Sequence, residues 1–174
     1  MRTHLPISFL RLLLGVSITS VILPTSGQAQ QAVIVVRHAE QTLVGGMMDG
    51  DPPLNEDGAK RARSLLDRLN AAGIKAIYTS QYARSRETAE PLARATGAKS
   101  YVVPKDDLAA LTAHMRQHHA DDVIAVVGHS DTIPAMLKAW GHTHPVQIGK
   151  MEFDGLWIVV PRGEAPPAVA RLRL

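Results

Sequence analysis

The stretch Ala32-Val33-Ile34-Val35-Val36-Arg37-His38-Ala39-Glu40 is an apolar run that empties directly into a guanidinium and an imidazole. A short, continuous apolar run rich in β-branched residues reads as a strand buried on both faces. Its end then lies at the carboxyl edge of a sheet, where open α/β folds bind their ligands. The pattern recurs: Val123-Ile124-Ala125-Val126-Val127 runs into Gly128-His129-Ser130-Asp131. Two strand-end histidines and a guanidinium point to a site that handles phosphate, with one imidazole as nucleophile.

Working outward from these two strands, strand-like and helix-like segments alternate, the pattern of a layered α/β domain. A loop rich in Gly, Asp and Pro covers Gln41 to Pro53. Asn55 then reads as an N-cap, and Ala59, Ala62, Leu65, Leu66 and Leu69 form an apolar stripe at helical spacing, stopped by Gly73. Ile74 to Tyr78 is a short strand ending in Thr79-Ser80, followed by a helix from about Arg84 to Thr96, with a kink or restart expected at Pro91. Tyr101 to Val103 reads as a strand and Asp107 to His119 as a helix. The strand at Val123 leads into a helix from about Thr132 to Trp140. Leu156 to Val160 and Ala168 to Leu172 read as two strands joined by a turn from Pro161 to Pro167, a hairpin at one edge of the sheet.

The first 29 residues are set apart from this domain. Arg2 and Arg11 precede a twelve-residue, uncharged apolar stretch, Leu12 to Leu23, and Gly27-Gln28-Ala29 offers a small-x-small cleavage site. That is the layout of a secretory signal, too short to span a bilayer. The expectation is a leader over 1–29 and one domain over 30–174, with the mature protein periplasmic or secreted and no membrane span in it. Without the leader, the 19 basic residues fall to 17 against 16 acidic, so the mature chain is close to neutral. With no basic stripe and only 4% aromatic residues, no nucleic-acid partner is expected. The absence of Cys excludes thiol catalysis and disulfides.

Phosphate-competent groups stand at three strand ends: Arg37-His38, Thr79-Ser80 with Arg84 and Arg86 just beyond, and His129. There is no Gly-x-x-x-x-Gly-Lys-Ser/Thr loop, no His-Glu-x-x-His and no Gly-x-Ser-x-Gly elbow. Guanidiniums near a nucleophilic imidazole disfavour a further cation, so they should lower its pKa and keep it neutral. They also attract a phosphate dianion, and their forks match two oxygens at once. In that chemistry they take the place of a divalent cation, so neither a metal nor another cofactor is expected.

In order and spacing, Arg37-His38-Ala39-Glu40, Tyr78-Thr79-Ser80 with Arg84-Ser85-Arg86-Glu87-Thr88, and Gly128-His129-Ser130 resemble the histidine phosphatase superfamily. The resemblance spans Val33 to Ala135. It implies an α/β three-layer sandwich around a mostly parallel sheet, phosphoglycerate-mutase-like, here with the C-terminal edge hairpin. It implies that His38 attacks phosphorus and carries the phosphoryl group, while Arg37, Arg84 and His129 bind its oxygens. Ala39 departs from the family's usual Gly and should be tolerated unless that position needs φ > 0.

The proton donor to the leaving group stays open among Asp106, Asp107 and Asp131, each of which reads equally as a helix N-cap. Glu40 stands close enough in sequence to repel a dianion unless it points away. His114 and His118, four apart on a helix, could share a metal with His119, His142 or His144, but no third acidic ligand is paired with them, and surface histidines are the plainer reading. Met47-Met48 reads as part of a loop over the pocket, Arg86 as a helix-surface cation, and Trp140 and Trp157 as core. The leading expectation is an exported phosphomonoester hydrolase whose substrate is a phosphorylated small molecule or phosphoprotein. Its rivals are a catalytically weak phosphate-ligand binding module and a phosphomutase.

Overall fold

The computed structural model describes residues 31–45 and 50–174. The proposed leader and Met47-Met48 lie outside these residues. Six strands and four helices follow in the order β1 (Ala32–Arg37), α1 (Glu56–Leu69), β2 (Ile74–Thr79), α2 (Ala83–Thr96), β3 (Lys99–Val102), α3 (Leu108–His118), β4 (Val123–Gly128), α4 (Thr132–Ala139), β5 (Gly155–Arg162) and β6 (Ala165–Arg173). They build one sheet of order β3-β2-β4-β1-β5-β6. The first four strands in that order are mutually parallel, β5 runs antiparallel to β1, and β6 to β5.

The continuous apolar runs are explained by two cores, one on each face. From β1, Val33 and Val35 join Tyr78, Leu111, Met115 and Met136 on the α3/α4 face. Ile34 and Val36 join Leu65, Leu69, Ile77 and Leu92 on the α1/α2 face. Alternate side chains of one strand thus feed opposite layers, as a centrally placed parallel strand requires. Right-handed crossovers then account for the helices' sides. Steps from β1 to β2 to β3 move one way across the sheet, and the return to β4 moves the other way, which shifts α3 to the second face, where α4 packs beside it. That reversal creates a crevice at the carboxyl ends of β1, β4 and β2.

Asn55 caps α1 as expected, its side chain accepting from the Gly58 amide at 2.9 Å. Three local expectations are corrected. The helix α2 runs unbroken from Ala83 to Thr96 with Pro91 inside it, so the loss of one backbone donor is absorbed without a restart. The third strand pairs over Lys99–Val102, earlier than its apolar residues suggest, because its register is set by β2. The hairpin turn is Gly163-Glu164 rather than a long Pro/Gly loop. Gly163 adopts φ +64°, which tightens the turn, and Pro166 and Pro167 lie in β6, an edge strand that does not need all of its amide donors.

Candidate active site

The carboxyl ends of β1, β4 and β2 place Arg37 beside Gly128 and Thr79 beside Val127. The ladder continues one residue further, since the His38 amide donates to the Gly128 carbonyl at 2.9 Å. This brings the His38 and His129 rings together, with centroids 5.0 Å apart. His38 Nδ1 lies 2.8 Å from the Ala39 carbonyl oxygen. A carbonyl only accepts, so Nδ1 carries the proton and Nε2 is left with its lone pair.

Arg37 is clamped along one edge. Its Nη1 donates to the carbonyls of Gly149, Lys150 and Glu152 at 2.9, 2.9 and 2.8 Å. Its guanidinium lies 4.0 Å above the Phe153 ring, which is itself 5.9 Å from the His38 ring. Arg84, the second residue of α2, donates through Nη1 to the Gly50 carbonyl at 3.3 Å and stacks 4.2 Å over Tyr82. The Tyr82 ring in turn meets the His129 ring at 5.6 Å. Arg84, Tyr82, His129, His38, Phe153 and Arg37 therefore form one continuous series of ring and cation contacts. Arg37 Nε and Arg84 Nε are buried and have no hydrogen-bond partner among the described residues. An unmet buried donor costs about 1–3 kcal/mol. A bound oxyanion would satisfy both.

Burial is the main cause that lowers both imidazole pKa values. For His38 it outweighs the Ala39 hydrogen bond, and the charges of Arg37 and Arg84 add to it, giving about 4. For His129 burial acts with His38, Arg84 and Lys105, giving about 3. The sequence led us to expect the guanidiniums to lower the His38 pKa; they do, and desolvation does more. Both rings are neutral near pH 7.

The profile of the histidine phosphatase superfamily (branch 1) matches residues 33–112. Among curated proteins, none matches the sequence. Several solved structures share its fold. The protein histidine phosphatase SixA, complexed with tungstate, is 14% identical with a TM-score of 0.67, over 82% of this chain and 96% of that one. Mycobacterial glucosyl-3-phosphoglycerate phosphatase Rv2419c, in complex with VO3, is 16% identical with a TM-score of 0.63, over 81% of this chain and 97% of that one. YhfR of Bacillus stearothermophilus is 20% identical with a TM-score of 0.64, over 80% and 95%. Residues 33–112 match the histidine phosphatase superfamily profile, and the chain has the fold of these phosphatases.

Within this histidine phosphatase fold, the departure at Ala39 costs nothing visible. No non-glycine residue among those described has positive φ, and the Ala39 side chain is fully buried. Its amide donates to Thr88 Oγ1 at 2.9 Å, and Thr88 Oγ1 donates to the Arg84 carbonyl at 2.7 Å. One hydroxyl thus ties the turn after β1 to the first turn of α2. Glu40 points away from the imidazoles: Arg61 Nε reaches its two oxygens at 3.0 and 2.9 Å. Burial works to raise the Glu40 pKa, but the Arg61 hydrogen bonds hold it below the usual range.

The three aspartates separate. Asp107 caps α3, its Oδ1 accepting from the Ala110 amide at 2.8 Å. Asp131 occupies the N-cap position of α4 without capping it; Lys105 Nζ holds its Oδ2 at 2.5 Å. Burial opposes ionisation there, but the Lys105 hydrogen bond prevails and the pKa is lowered. Asp106 has neither commitment and lies on the rim of a cavity that also reaches His129.

Sequence reading missed Phe153, Tyr82, Lys105 and the hydroxyl pair behind His129. His129 Nε2 lies 2.9 Å from Ser80 Oγ, which donates to Ser85 Oγ at 2.9 Å. Ser80 therefore accepts from Nε2–H, leaving Nδ1 as the nitrogen that can gain a proton. The Ser80/Ser85 spacing across the β2–α2 turn was visible in the sequence; the contact from Phe153 had no local signal. On α3, the His114 and His118 rings lie 4.4 Å apart, but His114 Nδ1 is 2.8 Å from the Tyr78 hydroxyl and His119 Nδ1 is 2.8 Å from Asp122. Among the described residues no group of three or more such side chains is arranged to hold a metal ion.

Proposed function

We propose that the chain is an exported phosphomonoester hydrolase that works through a phosphohistidine on His38. One observation carries this reading: a neutral imidazole with Nδ1 locked to the Ala39 carbonyl stands in a cluster with a second histidine and two guanidiniums, Arg37 and the half-buried Arg84, whose buried Nε donors are unpaired. Tungstate in SixA and VO3 in the mycobacterial phosphatase are oxyanions held by proteins of the same fold, which supports an oxyanion here. Export rests on the leader-like segment over 1–29.

The steps balance without a cofactor. The His38 Nε2 lone pair attacks phosphorus as the ester P–O bond breaks, and the leaving oxygen takes a proton. Arg37, Arg84 and a protonated His129 neutralise the charge on the equatorial oxygens, a contribution of about 10²–10³ in rate for each such donor. Water then attacks the phosphohistidine, giving a proton back to the acid that protonated the leaving oxygen, the P–N bond breaks, and inorganic phosphate leaves with the imidazole restored. We assign the proton donation to Asp106, since Asp107 and Asp131 are held by a helix cap and by Lys105.

Burst kinetics with p-nitrophenyl phosphate tests the reading. Release of nitrophenol beyond one equivalent per chain, with an acid-labile phosphoenzyme that His38→Ala lacks, is the expected result. Release that stops at one equivalent indicates a binding module, and an unaffected His38→Ala variant removes His38 from the mechanism. N-terminal sequencing of protein recovered outside the cytoplasm tests the leader, with a start at Gln30 expected.

A further inference from the structure

Beside His129, the ends of β2 and β4 open into a cavity of about 240 Å3. Its walls are apolar, formed by Tyr78, Val103, Leu108, Leu111, Val126 and Met136. Its rim carries Lys105, Asp106, Asp107 and Asp131. Ser80 and His129 belong both to this cavity and to the imidazole cluster, whereas Arg37 and Arg84 do not line it.

Charge differs in sign between the two regions. Around the imidazoles stand two guanidiniums; Glu40 is neutralised by Arg61, and Asp51, 3.8 Å from Arg84 Nη1, still leaves about one net positive charge there. Around the cavity stand three carboxylates and one ammonium. The N-termini of α3 and α4 add about half a positive charge each. Counting all three aspartates as carboxylates, the cavity end carries about one net negative charge, with Asp107 capping α3 and Asp131 paired with Lys105. A cavity of about 150 Å3 accepts benzene, so this one has room for a single substituted ring or a branched alkyl group.

We propose that the cavity receives the leaving group of the substrate, and that it selects phosphate monoesters of small apolar alcohols, neutral or cationic, over esters of carboxylated alcohols. This rests on the phosphatase reading above and adds a substrate class to it. The ester is oriented by the difference in charge: its phosphoryl dianion faces the arginines and its leaving group faces the acidic rim. A phosphorylated sugar acid, with a carboxylate in the leaving group, meets the wrong sign.

The test compares phenyl, 4-(aminomethyl)phenyl and 4-carboxyphenyl phosphates, with methyl phosphate as a substrate too small to need the cavity. The aminomethyl ester is expected to exceed the carboxy ester in kcat/KM by roughly tenfold or more. Ala135 lines the cavity from the exposed side of α4, so Ala135→Phe fills it without entering the core. This variant should slow the aryl esters by about tenfold and spare methyl phosphate. Equal rates for the three aryl esters, or equal slowing of phenyl and methyl phosphates by Ala135→Phe, would overturn the proposal while leaving the phosphatase reading intact. A readout independent of turnover separates the opposite failure: 4-(aminomethyl)phenol, and not 4-hydroxybenzoate, should shift the Met136 methyl NMR signal. Such a shift in a protein that hydrolyses no ester would support the cavity and reject the phosphatase.

Discussion

His38 Nδ1 donates to the carbonyl of its own neighbour, Ala39, at 2.8 Å. The contact fixes the tautomer, and burial fixes the charge, because the His38 pKa is pushed down to about 4. A nucleophilic imidazole works only while neutral. Activity is therefore present above the folded-state pKa and is lost as pH falls through it. The acid limb of kcat/KM, corrected for ionisation of the substrate, should fall near pH 4 rather than at the ordinary histidine value of about 6.5. A pH–rate profile with its acid limb at the ordinary value would contradict the desolvated, neutral nucleophile.

Binding of a dianion should draw protons into the site. His129 is held neutral by burial and by the positive field of its neighbours, with a pKa of about 3. A bound dianion reverses the sign of that field and raises the pKa of both rings. Sulfate keeps its own charge constant between about pH 5 and 8, so any proton taken up on binding goes to the protein. Calorimetry in buffers of different ionisation enthalpy should show net uptake near pH 5, and Arg84→Ala should weaken binding.

Arg84 supplies a fork held over Tyr82, not merely a charge. Arg84→Lys keeps the charge but loses the planar pair of donors and the stacking on the ring. The expected loss in kcat/KM is about 10²–10³, close to that of Arg84→Ala. Steady-state kinetics of the two variants decides it. Recovery to near wild-type rate in Arg84→Lys would show that only charge matters at this position.

Asp106 and Asp131 can be told apart by their dependence on the leaving group. Nitrophenolate leaves without a proton, whereas an alkoxide needs one. Asp106→Asn should slow methyl phosphate by about 10²–10⁴ and p-nitrophenyl phosphate much less. Asp131→Asn only releases Lys105, so it should change both rates to a similar, small extent. A selective loss of methyl phosphate turnover in Asp131→Asn would transfer the donor role to that residue.

The layered fold was legible because β1 and β4 are short, uninterrupted and apolar on both faces, as Val33 to Val36 and Ile124 to Val127 show. The clustering of Arg37, His38 and His129 was legible for the same reason, since strand ends in parallel register bring them together. The hairpin's turn was placed too wide because Pro161, Pro166 and Pro167 suggest a loop, whereas Pro161 sits at the irregularity in the β5/β6 register and Pro166 and Pro167 lie in the edge strand β6. Phe153 was out of reach altogether. Its value comes from stacking on Arg37 after the chain has crossed the sheet, a contact with no periodicity or spacing behind it. The aspartates divided only once partners were known, because a cap, an ion pair and an uncommitted carboxylate look alike in sequence.

Gly58 was equally silent, and it yields the sharpest stability test. In an ordinary helix Gly→Ala stabilises by about 0.5–1 kcal/mol. Here α1 packs so closely on the turn after β1 that a Cβ on Gly58 would lie 2.1 Å from the Glu40 carbonyl oxygen. That oxygen already accepts from the Asn55 amide at 3.0 Å, so the clash is between backbones and no side-chain rotation relieves it. Either α1 or the turn must move, and the turn carries His38 and Ala39. Gly58→Ala should therefore destabilise the domain by about 1–3 kcal/mol, opposite in sign to helix propensity. Thermal unfolding measures the first effect, and kcat/KM should fall with it in the fraction that stays folded. A variant more stable than wild type would show that the helix does not approach the turn this closely.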